Sequence, residues 1–167
     1  MTEGAEQQPS DAYLRGEEAL AFVGAFLTQE GWSYQRLGES LILHSRFQSN
    51  HGEWTCFAHC RPEFDQYLFY SVAPVRAPAV LRPAVAEYLT RANWGLILGN
   101  FELDYGDGEV RFKSSIQLNG APLCAEILHP LVYGNVLAMD KYLPGLQAVI
   151  ALAQTPSEAI QAIEEAS

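Results

Sequence analysis

Positive charge is scarce in this chain. Ten Lys and Arg stand against twenty Asp and Glu, a formal net charge of −10, and only two of the cations, Lys113 and Lys141, are lysines. A surface of that sign repels phosphate backbones and anionic lipid headgroups, so neither nucleic acid nor membrane is an expected partner. Long apolar runs are also missing. The longest stretches free of Asp, Glu, Lys and Arg, Ile127 to Met139 and Tyr142 to Ser157, are shorter than a bilayer span, and Pro144 interrupts the second. The opening residues, MTEGAEQQPSD, are acidic and polar where a signal peptide is basic and then apolar. The expectation is a cytoplasmic protein. Cysteine is limited to Cys56, Cys60 and Cys124, an odd number that suits free thiols better than a disulfide framework.

Catalytic signatures are lacking as well. There is no Gly-x-Ser-x-Gly turn and no phosphate loop, and Gly95-Leu-Ile-Leu-Gly99 has the wrong spacing for a dinucleotide fingerprint. The histidines, His44, His51, His59 and His129, lie in ordinary settings. The carboxylate pairs Glu17-Glu18 and Glu164-Glu165 read as solvated faces. Cys56, His59 and Cys60 offer metal-ligand chemistry. On a strand, however, the two thiols share a face roughly 13 Å apart, and His59 points to the other side. A helix over residues 54–61 would instead restore the metal site. No enzyme, cofactor or metal is therefore expected. A hydrolase would need His44 or His59 within hydrogen-bond reach of a Ser or Cys.

What is present is apolar patterning: 49% of the residues are hydrophobic and only 18% charged, enough for one well-buried domain. Residues 1–12 read as a mobile acidic tail and residues 13–167 as a single domain. From Glu17, Leu20, Val23 and Leu27 mark a helical face that Phe22 and Phe26 widen, and Gly31 is the natural stop. Three alternating runs follow, Ser40 to Phe47, Glu53 to Arg61 and Gln66 to Val75, and predict an antiparallel meander. Leu81, Val85, Tyr88, Leu89 and Ala92 then return to helical spacing. A hairpin turning at Gly106-Asp107 pairs Leu103 with Val110, Phe101 with Phe112 and Glu102 with Arg111, with Lys113 on the diagonal. After Asn119-Gly120 the spacing is helical to the end, with a kink or break at Pro130 and Pro144. The capping box Thr155-Pro-Ser-Glu158 opens a last short helix with Ile160 and Ile163 inward. Bulky aromatics exceed what one core need hide, most visibly Trp94, Tyr133 and Tyr142, and these three are the candidate partner contacts.

Several segments resemble a known family. Arg91 to Tyr105 (RANWGLILGNFELDY), Gly108 to Phe112 (GEVRF), Leu131 to Val136 (LVYGNV), Met139 to Leu146 (MDKYLPGL) and Thr155 to Ile160 (TPSEAI) are similar to the YbjN family as found in photosynthetic bacteria. That resemblance implies the fold of the small type III secretion chaperones. It is an α+β domain with a bent antiparallel sheet in the order α-β-β-β-α-β-β-α(α). It also implies pairing into a homodimer through Val85, Tyr88 and Leu89, and an unidentified protein or peptide client held on apolar patches. The function expected is a non-enzymatic, chaperone-like or regulatory domain. The alternative is a sensory domain binding a small apolar ligand between the sheet and the C-terminal helices.

Overall fold

The computed structural model describes residues 11–165 and begins with helix α1, Asp11–Gln29. Residues 1–10 of the expected tail lie outside the described residues, and its last two positions are already helical. Leu20, Val23, Phe26 and Leu27 of α1 are buried, while Phe22 stays partly in solvent. Gly31 adopts φ +81° and closes the helix as a Schellman turn. Its N–H donates to the Thr28 carbonyl at 3.0 Å and the Trp32 N–H to the Leu27 carbonyl at 2.8 Å, which satisfies carbonyls that the helix end leaves open.

Among the described residues six strands form one antiparallel sheet in the order β1-β2-β3-β4-β6-β5. They are β1 (Tyr34–Arg36), β2 (Ile42–Gln48), β3 (Glu53–Arg61), β4 (Gln66–Arg76), β5 (Asn100–Leu103) and β6 (Glu109–Gln117). Strand β1 is not foreseen by the patterning, because its three residues are all exposed and carry no alternation. The hairpin β5–β6 has the register expected from alternation, Phe101 opposite Phe112, Glu102 opposite Arg111 and Leu103 opposite Val110. One face of the sheet presents Trp54, Cys56, Ala58 and Cys60 of β3, Tyr67, Phe69 and Ser71 of β4, and Val110, Phe112 and Ser114 of β6, all buried. The helices gather on that face, which holds the hydrophobic core.

Helix α2 (Arg82–Asn93) follows a single 3₁₀ turn and packs against β5, α3 and α4. Helix α3 (Ala125–Ile150) continues through Pro130 and Pro144 without a break, which corrects the expected break. Each interior proline costs about 3 kcal/mol. The nine apolar side chains that α3 buries, from Leu128 to Val149, contribute about 1.5–3 kcal/mol each. Burial wins by a wide margin. Asn135 anchors the middle of α3 to the sheet: its side-chain amide donates to the carbonyls of Phe69 (2.9 Å) and Phe112 (3.2 Å) and lies 3.0 Å from Ser114 Oγ. Two carbonyl acceptors on one atom fix which end of that amide is nitrogen.

The space between the sheet and α3, where a ligand cavity is the alternative expectation, is filled by Leu131, Val132, Val136, Met139 and Leu143. Helix α4 (Pro156–Glu165) starts on the predicted capping box. The Thr155 N–H donates to Glu158 Oε2 at 2.8 Å and the Glu158 N–H to Thr155 Oγ1 at 3.3 Å. Gly145 lets α3 close onto α2 and α4, since a Cβ there would stand 2.4 Å from Tyr88 Oη and 2.7 Å from Ile163 Cδ1. Urea denaturation should therefore find Gly145→Ala less stable than wild type by about 1–3 kcal/mol. Thr155→Ala should lose about 1 kcal/mol.

Candidate functional site

Alternation that sends one set of strand residues into the core sends the next set to the opposite face, where none of the described helices packs. Cross-strand pairing arranges that second set in rows. His44, Phe57, Tyr70 and Lys113 form one; Ile42, His59, Leu68 and Ser115 form the next; Arg46, Thr55, Val72, Arg111 and Glu102 form a third. Ile42, Phe57, Tyr70 and Val72 are only partly exposed, because the sheet curls into a trough of about 460 Å³ whose sides include Leu37 and Arg111. Aromatic and β-branched side chains thus line a concave surface that the described residues leave open.

Charges border the trough and are mostly paired. The Arg111 guanidinium lies 4.6 Å over the Tyr70 ring and 2.7 Å from Glu102, and Lys113 bonds the other oxygen of the same carboxylate. Burial pushes the Glu102 carboxyl up, yet the hydrogen bonds from Lys113 and Arg111 together hold it below the ordinary range. Burial, helped by the nearby Arg61, lowers the pKa of His59, so the neutral imidazole is favoured. His44 meets Gln35 at 3.2 Å, and the His59 ring makes no hydrogen bond among the described residues. Neither histidine pairs with a Ser or Cys among them.

The residues singled out from the sequence are separated by the fold. Val85, Tyr88 and Leu89 face the core of the single chain, and Tyr88 Oη donates to the Tyr142 carbonyl at 2.7 Å. Val85, Tyr88 and Leu89, expected at a dimer contact, are thus buried in the packing of the single chain. Tyr142 is buried edge-on against Phe101. Tyr133 is half-buried against His129 and Trp32, and its hydroxyl donates to Glu30 at 2.6 Å. Trp94 alone of the three candidate contacts stands in solvent, at 90% exposure, and Ile97 joins it at 94%, with Leu98 beside them. These residues occupy the loop between α2 and β5. The missed signal is an apolar Leu-Ile-Leu run bounded by glycines with no strand or helix period to consume it.

The sheet edges differ. At β5 the Phe101 N–H donates to Asn93 Oδ1 at 2.7 Å, and Asn93 Nδ2 returns a 3.2 Å bond to the Phe101 carbonyl. The asparagine imitates a neighbouring strand and closes that edge to strand addition. Strand β1 is the other edge, tied to α1 by the bidentate Arg36–Glu17 pair at 2.6 and 2.9 Å.

Strand β3 separates the candidate metal ligands as expected, with Cys56 and Cys60 buried on the core face and His59 on the trough face. Among the described residues no group of three His, Cys, Asp or Glu could hold a metal ion. Burial pushes both thiols up to about 12. Tyr67 is a further buried polar group on the core face, and its hydroxyl has no partner among the described residues.

Residues 20–138 match the family model YbjN, described as "Putative bacterial sensory transduction regulator". Among solved structures, the fold is similar to YbjN, "a putative transcription regulator from E. coli", with a TM-score of 0.58 and 17% identity over 77% of this chain and 89% of that one. It is also similar to a chain of the ExsC–ExsE complex, with a TM-score of 0.50 and 12% identity over 77% and 93%. No curated protein sequence matches significantly.

Thiol chemistry checks the site's burial. At pH 8 a thiol reagent should label only the partly exposed Cys124 in the native protein, and all three cysteines after unfolding. Buried thiols that ionise near 12 when folded, but near 8.5 when unfolded, leave the unfolded state with fewer protons at high pH. Stability should then fall between about pH 9 and 11, by about 1.4 kcal/mol per pH unit for each thiol. Removal of an unpartnered buried hydroxyl by Tyr67→Phe should raise stability by about 1–2 kcal/mol in urea.

Proposed function

Because the chain belongs to the YbjN family, we propose that it is a non-enzymatic, cytoplasmic, chaperone-like or regulatory domain that works as a homodimer and holds a polypeptide partner. The observation that carries this reading is the uncovered trough, where Ile42, Phe57, Tyr70 and Val72 lie on a face with none of the described helices over it. Apolar centre, aromatic anchors and a charged border are the anatomy of a protein-binding surface. The fold is shared with a chain found in the ExsC–ExsE complex, and that protein at least is seen in a complex. The net charge of −10 disfavours nucleic acid and anionic membranes as the partner.

A dimer contact through the inner face of α2 is replaced in this proposal by the exposed loop after it. Trp94 and Ile97 are almost fully solvated in one chain, and apolar side chains so placed gain most by burial against a second copy. The closed β5 edge beside that loop directs the contact to side chains rather than to strand pairing.

Two measurements test the proposal. Light scattering at tens of micromolar should give the mass of a dimer, and Trp94→Asp with Ile97→Asp should shift it to a monomer with unchanged circular dichroism. A monomeric wild-type mass rejects the dimer. In affinity capture from the native cell, a partner held by wild type should be lost with Phe57→Glu and Tyr70→Glu while melting stays cooperative. Equal capture by both proteins rejects the trough.

A further inference from the structure

Asparagine is a labile residue whose lifetime depends on its neighbours, and the chain carries five: Asn50, Asn93, Asn100, Asn119 and Asn135. Three are engaged through their side chains. Asn93 and Asn100 bond to the backbone of Phe101, and Asn135 to the carbonyls of Phe69 and Phe112. Asn50 precedes a bulky residue, His51, whose N–H donates to Ser49 Oγ at 3.0 Å. Asn119 differs on each count. It is exposed, and its side-chain amide makes no hydrogen bond among the described residues. The residue after it is Gly120, which has no Cβ to hinder the approach of its nitrogen to the asparagine side chain.

Asn119 and Gly120 are the central pair of the turn that follows β6. Their φ angles are +53° and +78°, both positive as in a type I′ turn, and the Ala121 N–H donates across them to the Leu118 carbonyl at 3.0 Å. Asp65, in the connection between β3 and β4, ties this turn twice. Its carbonyl accepts from the Leu118 N–H at 2.8 Å, and its carboxylate accepts from the Gly120 N–H.

The second bond falls on the atom that deamidation needs as nucleophile. The Gly120 nitrogen must give up its proton and add its lone pair to Cγ of Asn119. A new C–N bond forms, the side-chain nitrogen leaves as ammonia carrying that proton, and a five-membered imide remains. Water then opens one of the two imide C–N bonds, giving aspartate or isoaspartate. Nothing is oxidised or reduced, and the chain gains one negative charge. A carboxylate opposes the first step in two ways: it stabilises the N–H that it accepts from, and it repels the negative charge that develops on the nitrogen.

We propose that Asn119 is a site of spontaneous deamidation in this protein, and that the Asp65 carboxylate sets its rate by holding the Gly120 N–H. Conversion places a carboxylate in the connection between β6 and α3, and the isoaspartyl product adds a backbone carbon to the turn.

The full-length protein, incubated at pH 8 and 37 °C and mapped by mass spectrometry of its peptides, tests this. Asn119 should convert before the other four asparagines. Asp65→Asn keeps the size and an acceptor oxygen but removes the charge, and should speed conversion several-fold. Asp65→Gly suits the φ of +55° at that position and removes both acceptor and charge. It should speed conversion about tenfold or more, the value of one hydrogen bond to a charged group. Rates at Asn93, Asn100 and Asn135 should not change, whereas general unfolding would raise them all. In concentrated urea, with the tie broken, the three proteins should convert Asn119 at one common rate. The proposal is overturned if another asparagine converts first, if neither wild type nor variants convert at Asn119, if the Asp65 variants are no faster there, if every asparagine speeds up alike, or if the difference persists in urea.

Discussion

The two-residue period through β3, β4 and β6 is the constraint on which the rest of this structure depends. It sends Trp54, Cys56, Ala58, Cys60, Tyr67, Phe69, Val110 and Phe112 to one face, and the described helices are drawn to that face because the apolar area is there. With those helices gathered on one side, none of them remains to cover the other. Since Phe57, Tyr70, Ile42 and Val72 occupy the opposite phase of the same sheet, the uncovered face carries an apolar patch of its own. A sheet with one solvated face ordinarily alternates apolar with polar residues. This one sets Phe57, Leu68, Tyr70 and Val72 among polar residues on the second face of its central strands, and that set is where the proposed binding chemistry resides.

Asn135 shows how the helical layer is held at a fixed position. Apolar packing alone is tolerant of sliding, whereas a buried amide nitrogen that donates to two strand carbonyls at once can do so in one placement only. The same device recurs at smaller scale. Tyr88 ties α2 to the Tyr142 carbonyl of α3, and Asn93 ties the end of α2 to the free edge of β5. Each bond ends on a backbone group that would otherwise lie buried or open to another chain, so positioning and edge protection come from the same side chains.

Much of the fold was legible because local rules sufficed. The meander, the β5–β6 register, the Gly31 stop and the Thr155–Glu158 box follow from alternation, turn chemistry and capping, each involving residues close in sequence. Strand β1 was not legible, since three exposed residues carry no pattern. The prolines of α3 suggested a break that the structure does not contain, for the opposite reason. Their local cost is real, but it is outweighed by distant burial that only the packed structure displays. The burial of the candidate site residues was less legible: Val85, Tyr88 and Tyr142 are buried within the chain and Tyr133 is half-buried against Trp32 and His129, a placement that composition does not reveal.

By itself the sequence determined most of the element types and the separation of the two thiols from His59 along β3, both of which depend on period. Only the tertiary structure decided which apolar side chains remain available. The same residue types line the core, the trough and the Trp94 loop. Helix packing chose among them, by covering one face of the sheet and one side of α2 and leaving the trough and the Trp94 loop without a described helix over them.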